Sequence, residues 1–587
     1  MLLDWIINSH TFLLNSYKFP TLTVNPVLPP LPLKLQFNLC LDTLLIFGIA
    51  FVLLLQRKKL GSFYSAQAFT TSIFTLLIAL VLNLEIQGTL YGLSKTTGQS
   101  VFPIFWDSFS ISKYNLKLKS CLYLGNLFLL SFAFDSFKNS NKKSNLYFLI
   151  PLTTLFLTAT GSMLLTTSNL FTLLLAIETF SFLSLFIIRF STNKMSSEAS
   201  LLYFFMNLLA TGFLSLGLLF IYLGTNSITL FEIADILFAA YNSTEKTTLS
   251  PNLFIGCGLI FGVFLFKLAA FPCFFWLPLT FRAMTFSGIA LTSFSVKFVN
   301  VCLFIQLTLI VLPSLLTLIS TNIWISLISF SSIFTGTILA LKEFNFRKFL
   351  AFTSINQIGY IILALLPLSH NIVTGLYNLM YFISIYFVSV LLFLSTLSHI
   401  RINNNPINNL SDLRLLWQSS PFSAAICLLS IFSMAGLPPT SGFWAKYYIL
   451  RNCWDLSSIL SWGEAINMIF RVGIITIIFL NFISAIYYVR LIILISFDPI
   501  ILLFTKLRSM HIRKSYSIFS KFLLEAFSPL NFNFSRGLKY AFITDTSTLR
   551  SIIREVSHAT LDMEVIKVLC QSIGAFFLIL DFFIRCW

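Results

Sequence analysis

Charge is what this 587-residue chain has least of: 10% of its residues are Asp, Glu, Lys or Arg, and 57% are hydrophobic. A soluble domain carries about 25% charge and needs a polar shell. A water-soluble enzyme is therefore excluded, and the mean hydropathy of +0.88 makes lipid the solvent for most of the chain. Acidic residues are scarcer than basic ones, 21 against 38, which leaves a net charge of +17. The basic residues lie mostly between apolar runs, where the positive-inside bias and anionic lipid headgroups account for them, so no nucleic-acid partner is expected. The nine cysteines form no Cys-x-x-Cys, and the five histidines (His10, His370, His399, His511 and His558) lie far apart. Iron–sulfur, haem and zinc sites thus find no ligand spacing, and no metal is expected. Glycine and proline are few, 23 and 18 against 67 phenylalanines, a bias that suggests an AT-rich coding genome. The opening residues show no Arg- and Ser-rich transit pattern, which with that bias favours synthesis inside an organelle.

Long apolar runs fill the rest. A spanning helix takes about 20 apolar residues, because it rises 1.5 Å per residue across a core about 30 Å thick. That length gives about 14 candidate transmembrane helices, near 38–56, 66–86, 119–137, 147–166, 169–190, 200–223, 252–271, 285–312, 322–341, 349–367, 372–398, 421–451, 468–498 and 565–585. Continuous runs rather than alternation favour helices over a barrel, so the expected fold class is an all-α polytopic membrane protein. Residues 1–37, studded with proline, read as an extended lead-in. Residues 57–61 and Lys342 to Lys348 read as short charged turns, and 225–251 and 400–420 as polar loops. A basic peripheral segment, 499–564, precedes the last span. Two runs are interrupted, one after Phe271 at Pro272 and Pro278, the other at Gly436-Leu437-Pro438-Pro439. Proline removes a backbone donor and clashes with the preceding turn, so both helices should break. Paired broken helices are the trace that an internal transporter repeat leaves in sequence.

Charges inside the spans are the most informative residues, since each costs about 2.5–3.5 kcal/mol at the bilayer centre. Glu178 sits mid-span in Leu-Leu-Leu-Ala-Ile-Glu-Thr-Phe; Lys267 ends the uncharged run from Leu253 to Phe266; Lys297 is flanked by Val296 and Phe298; Lys446 follows the Pro438-Pro439 break. Burial disfavours an ammonium and a nearby carboxylate favours it, so a lysine that gains and loses such a partner can take up and release a proton. One acid and three bases suit a proton path on that ground. The competing readings are a snorkelling anchor for Lys267 or Lys446 and an interhelical hydrogen bond for Glu178. Arg471 and Arg490, close to span ends, read as anchors.

The same residues carry a resemblance. Gly436-Leu-Pro-Pro-Thr-Ser-Gly442-Phe-Trp-Ala-Lys446-Tyr-Tyr-Ile-Leu450 is similar to the broken-helix motif of the antiporter-like membrane subunits of respiratory complex I, in particular the subunit-2 branch of NADH:ubiquinone oxidoreductase. The lysine at 446 separates that branch from subunit 4, which has glutamate there. Phe266-Lys267-Leu through Pro272 and Phe275-Trp276-Leu277-Pro278 resembles the family's F-K-x-x-x-x-P-F-H-x-W-x-P-D. Lys297 falls at the family's central lysine, and Glu178 at the glutamate of its fifth helix. Arg347-Lys348-Phe-Leu-Ala-Phe-Thr-Ser354-Ile-Asn-Gln-Ile-Gly359-Tyr360 is similar to R-K-L-L-A-Y-S-S-I-x-x-x-G-Y. The similarity spans roughly 145–495. Three positions depart from it. Leu202 stands where the sixth helix often has a lysine, Cys273-Phe274-Phe275 replaces the histidine after the break, and Leu279 replaces the acid of the turn.

What the resemblance implies is two inverted five-helix repeats, helices 4–8 over 145–312 and helices 9–13 over 322–498. Helices 1–3 would lie before them at 38–140 and a last helix after them at 565–587. It implies redox-driven proton pumping with Glu178 and Lys267 as coupling pair, Lys297 as central relay and Lys446 as outlet. No cofactor would bind this chain; NADH, FMN, iron–sulfur clusters and ubiquinone would act elsewhere in the complex. Partners would be the neighbouring antiporter-like and other membrane-arm subunits, and lipids such as cardiolipin. The expected location is the mitochondrial inner membrane, with a bacterial plasma membrane as the alternative. Two other functions remain open: a subunit of a multi-subunit cation/proton antiporter, and a structural scaffold whose buried charges only hold helices in register.

Overall fold

The computed structural model describes residues 42–496, apart from stretches at 57–61, 98–100, 139–145, 191–193, 243–250, 311–318, 370–371 and 460–463, position 106, and scattered positions between 400 and 420. The expected lead-in, the charged turn at 57–61, the basic segment 499–564 and the span at 565–585 lie outside the described residues.

Helices occupy most of what is described. In chain order they are α1 (Asp42–Gln56), α2 (Ser62–Thr97), α3 (Lys113–Lys138), α4 (Leu146–Leu164), α5 (Leu170–Ile188), α6 (Lys194–Thr225), α7 (Leu230–Asn242), α8 (Pro251–Leu268), α9 (Trp276–Ala283) and α10 (Phe286–Leu291). There follow α11 (Lys297–Ile310), α12 (Ile319–Lys342), α13 (Phe346–Leu363), α14 (Ile372–His399), α15 (Pro421–Ala435), α16 (Ser441–Ile459) and α17 (Glu464–Ser496). Among the described residues, nine helices are long and apolar enough to cross a membrane. This is a multi-pass membrane protein.

Burial sorts these helices by depth. Of the span Phe286–Leu309 94% is buried inside the protein, as is 94% of Phe346–Leu368, against 28% of Asn467–Ser496. α10–α11 and α13 therefore form the centre, and α17 shows most of its surface outward, with Ile469, Val472, Phe479 and Phe482 exposed. An apolar side chain facing hydrocarbon loses nothing, so such faces need no protein cover. Helix pairs instead meet where small residues allow: Gly217 of α6 lies against the Gly256 backbone of α8. α13 packs against α12 and α9, and α14 against α15, α16 and α3.

Three features differ from the expectations and one, the break at the proline pair, meets them. The fold is not purely α: Val101–Ile104 (β1) pairs antiparallel with Phe109–Ser112 (β2), and Arg401–Ile402 (β3) with Asn405–Pro406 (β4). The stretch 225–251, expected as a loop, holds helix α7, because Leu230, Ile233 and Leu237 recur at helical spacing and bury one face. The run 421–451 is two helices, α15 and α16, divided at the proline pair as its sequence requires. The span at 285–312 is also divided, by a π-helical turn at Thr292–Val296 that no proline or glycine announces. The two small hairpins pair their backbone groups at span ends, where lipid no longer enforces helical bonding.

Candidate functional site

Helix ends explain where the lysines sit. α8 stops at Leu268; Ala269 takes a left-handed conformation (φ 59°), and its N–H and that of Ala270 bond back to Phe266 and Leu265. The Phe266 carbonyl accepts also from Trp276 Nε1 at 3.1 Å, and the two rings stack with centroids 5.8 Å apart. The tryptophan expected from the motif thus closes the break, and Lys267 is left in the last turn of α8, 9% exposed. Its Nζ donates to Asn207 Oδ1 of α6 at 3.4 Å. Asn207 Nδ2 in turn donates to Ser181 Oγ of α5 at 2.9 Å, and Ser181 Oγ donates to the Glu178 carbonyl at 2.8 Å.

Glu178 itself is half-buried. Among the described residues no direct ion pair joins it to Lys267. Asn207 is the bridge between their helices, a residue that none of the sequence motifs contains. It does carry a signal: it is the lone polar side chain in Leu201–Ala210 apart from Tyr203. Leu202 leaves α6 without the lysine, and Asn207 is the group through which α6 reaches Lys267. Asn207→Leu removes that acceptor from a buried ammonium, at a cost of about 1–3 kcal/mol. Thermal denaturation of the detergent-solubilised protein should show a lower midpoint for Asn207→Leu than for Asn207→Asp, which keeps an acceptor.

The second break is built differently. α15 ends in Gly436 (φ +73°), whose N–H bonds back to the Phe432 and Ser433 carbonyls at 3.1 Å each. α16 begins at Ser441, and Gly442 passes so close to the Ser433 carbonyl that a Cβ there would overlap it. Lys446, 5% exposed and one turn into α16, reaches back to that helix end. Its Nζ donates to the Met434 and Ala435 carbonyls, both at 3.1 Å, and to Asn481 Oδ1 of α17 at 3.4 Å. The last carbonyls of a helix lack partners within it and carry the negative end of its dipole, so a cation is well placed there. The Tyr360 ring lies 5.3 Å from the same ammonium, and Tyr360 OH donates to Asn481 Oδ1 at 2.7 Å.

Lys297 lies between the two breaks, at the first residue after the π-helical turn and 4% exposed. Its Nζ donates to Ser354 Oγ of α13 at 2.7 Å and lies 5.6 Å from the Phe281 ring. One turn along α13, Gln357 Nε2 donates to the Met434 carbonyl at 3.1 Å, the same oxygen that accepts from Lys446. Ser354, Gln357 and Tyr360 recur every third residue on one face of α13, and together they line the way from Lys297 to Lys446. A cavity of about 10 Å³ beside Gln357, Ser389, Ser433 and Lys446 is close to the minimum that holds one water. The sequence motif contained these α13 residues, but only the packing shows which of its polar side chains face the lysines.

The structure places the expected residues in three hydrogen-bonded groups. Lys267 is joined to Asn207 and Ser181, with Glu178 present only through its backbone carbonyl; Lys297 is joined to Ser354; and Lys446 shares the Met434 carbonyl with Gln357 and meets Asn481, which Tyr360 also bonds. Lys267 and Lys446 are enclosed by protein, which removes the snorkelling alternative for both. Arg471 donates to Ser457 Oγ at 3.1 Å, and the Arg490 guanidinium lies 5.0 Å from the Phe344 ring. Among the described residues no three His, Cys, Asp or Glu side chains gather as metal ligands.

Comparison with known proteins gives this architecture its relatives. The family described as NADH:quinone oxidoreductase/Mrp antiporter, transmembrane, matches residues 167–485. NADH-quinone oxidoreductase subunit N 1 of Herpetosiphon aurantiacus is 27% identical over 390 residues, covering 66% of this chain and 75% of its own. Subunit N of Cytophaga hutchinsonii is 31% identical over 358 residues, 59% of this chain and 71% of its own. Among solved structures, a chain of respiratory complex I from Thermus thermophilus superposes with a TM-score of 0.58 at 20% identity, covering 78% of this chain and 90% of that one. A chain of the Mrp complex from a Dietzia species gives 0.60 at 18% identity, covering 79% and 80%. At these identities the structural likeness concerns the fold.

Proposed function

The chain belongs to the NADH:quinone oxidoreductase/Mrp antiporter transmembrane family, and on that premise we propose that it is a proton-translocating membrane-arm subunit of respiratory complex I, of the subunit-2 type. In this reading it couples quinone reduction elsewhere in the complex to proton movement along Glu178, Lys267, Lys297 and Lys446. The chain itself does no redox chemistry; NADH, FMN, iron–sulfur clusters and ubiquinone belong to other subunits, and its partners are the neighbouring membrane-arm subunits and lipid. The proposal includes the full set of about 14 helices and the two inverted repeats over 145–312 and 322–498.

The observation that carries this reading is the row of polar side chains that α13 sets between two buried lysines. Lys297 bonds Ser354, and Gln357 one turn further shares the Met434 carbonyl with Lys446. A scaffold needs neither a buried ammonium nor a polar row between two of them, since each ammonium costs about 2.5–3.5 kcal/mol to insert. A proton relay needs both. Moving a proton against 100 mV takes about 2.3 kcal/mol, within reach of side chains that exchange charged partners. Among the described residues no hydrogen bond joins Lys267 to Lys297 or Ser354 to Gln357, so in this reading water completes both parts of the path.

The likeness to the Mrp chain favours a second reading, a subunit of a multi-subunit cation/proton antiporter. The bacterial sources of the relatives favour a plasma membrane over the mitochondrial inner membrane expected from composition. One experiment addresses both. Source membranes, separated into organelle and plasma-membrane fractions, are solubilised in mild detergent, resolved on a native gel and stained for NADH oxidation, with mass spectrometry of the bands. The chain is expected in a large NADH-oxidising band. Finding it only in a smaller band inert to NADH would replace complex I with the antiporter.

A further inference from the structure

Arg347 opens the α13 motif, and the path above does not use it. It sits in the first turn of α13, where a cation opposes the dipole of its own helix. Among the described residues no carboxylate pairs with it; the neighbouring Lys348 takes Glu343, at 3.8 Å. Its Nη1 donates instead to the Met284 carbonyl at 2.9 Å and to the Arg282 carbonyl at 3.4 Å. The guanidinium lies 5.1 Å from the Phe286 ring, which in turn lies 6.2 Å from the Phe346 ring. Arg347 therefore reaches across to the corner at which α9 ends and α10 begins.

That corner is a joint. Met284 (φ −75°, ψ 157°) and Thr285 (φ −74°, ψ 161°) are both extended, between the last residue of α9 and the first of α10. At its other end α9 follows the break at Ala269. A helix of 8 residues between two non-helical joints makes few bonds of its own, and its last carbonyls lack partners within it. A guanidinium on those carbonyls supplies charge-assisted bonds, the stronger kind. The position of α9 matters because of Phe281, the residue before Arg282. Its ring is 1% exposed and lies 5.6 Å from Lys297 Nζ. Ser354, which accepts from Lys297 at 2.7 Å, lies two turns along α13 from Arg347 and within about 20° of it around the helix. Two rungs thus join α13 to α9: Arg347 on the Arg282 and Met284 carbonyls, and Ser354 with Phe281 at Lys297.

We propose that Arg347 is a positioning residue for the central lysine: it clamps the end of α9 to α13, so that Phe281 and Ser354 close on Lys297 and shield it from water beyond the helix ends. The guanidinium exchanges no proton itself; it acts through the placement of Phe281. Without the clamp, α9 turns about its two joints and Phe281 uncovers Lys297, so protons that reach the lysine return to the side they came from. The proposal rests on the proton-translocating function proposed above and adds to it the residue that keeps the central relay enclosed.

The test uses membranes with the assembled complex, matched for complex content by native gel, and reads proton pumping by dye quenching. Arg347→Gln should lower pumping about threefold, and should bring no further loss when added to Lys297→Met, because it acts through that lysine. Wild-type pumping in Arg347→Gln, or an equal further loss in the Lys297→Met background, overturns the proposal. A second readout is independent of pumping. Ser354→Cys, exposed to a charged, water-borne thiol reagent and read by peptide mass, should stay unmodified with Arg347 present and be modified with Arg347→Gln. Modification in both, or in neither, overturns the clamp. If Arg347→Gln does not assemble, Arg347→Lys takes its place; its shorter side chain reaches less far and should show both effects in smaller measure. Wild-type pumping with an unmodified Ser354→Cys in that variant, or its own failure to assemble, overturns the proposal. If Lys297→Met alone pumps like the wild type, the proton-pumping function itself fails, while the thiol comparison still decides the clamp.

Discussion

Replacing Lys297 by methionine is expected to lower proton pumping and NADH:quinone turnover together, at least tenfold, in a complex that still assembles. Methionine keeps the unbranched shape and loses only the charge and the bond to Ser354 Oγ. Ser354 is not orphaned, because its Oγ still donates to the Ala351 carbonyl at 2.6 Å. Inserting the ammonium costs about 2.5–3.5 kcal/mol, so its removal relieves the fold, and any loss of activity reports on function. Tenfold corresponds to about 1.4 kcal/mol of barrier. Vesicles carrying the variant, matched for complex content by native gel, give both rates. Wild-type pumping and turnover in such vesicles would remove Lys297 from the path. Turnover that stays normal while pumping falls would show that the two are not tightly coupled.

Gly442→Val is expected to abolish assembly rather than to slow turnover. A Cβ at 442 would overlap the Ser433 carbonyl, and that oxygen cannot swing away without giving up the bond it accepts from Gly436 N–H at 3.1 Å. The strain falls on the end of α15, whose Met434 and Ala435 carbonyls hold Lys446. Overpacking a tight contact costs about 1–3 kcal/mol, and more where backbone rather than a side chain must move. The chain's amount in the NADH-oxidising band, relative to total membranes, should fall below detection for valine and part-way for alanine. Gly262→Ala is the matched control, because nothing lies within 4 Å of the Cβ it adds. Normal assembly of Gly442→Val would mean that the break tolerates rearrangement and that Lys446 is not held by it.

The candidate site is partly legible in the amino-acid sequence, for a physical reason. Lipid makes ionisable groups rare, so Glu178, Lys267, Lys297 and Lys446 stand out in their apolar runs, and Pro272 and Pro438-Pro439 announce two breaks. The uncharged polar residues do not stand out in the same way. Asn207, Ser354, Gln357 and Asn481 are cheap enough in a helix to occur for many reasons, and one sequence does not say which face a neighbour. The π-helical turn before Lys297 also leaves no mark, because Thr292–Val296 contains neither proline nor glycine. The short apolar stripe of α7 is diluted by the polar residues around it, so its stretch reads as a loop.

Composition and run length alone made this a multi-pass helical membrane protein, because hydrocarbon tolerates no unpaired backbone and little charge. They also singled out the four ionisable residues, since each must repay its desolvation. Packing alone decided how these residues are connected. Asn207 sets the link from α5 to Lys267, and the α13 face of Ser354, Gln357 and Tyr360 sets the link from Lys297 to Lys446. Hydropathy records whether a residue accepts lipid. Which polar group meets which depends on helix rotation and crossing, and those follow from contacts such as Gly442 on Ser433 and Gly125 on Phe294, between residues distant in sequence or divided by a break.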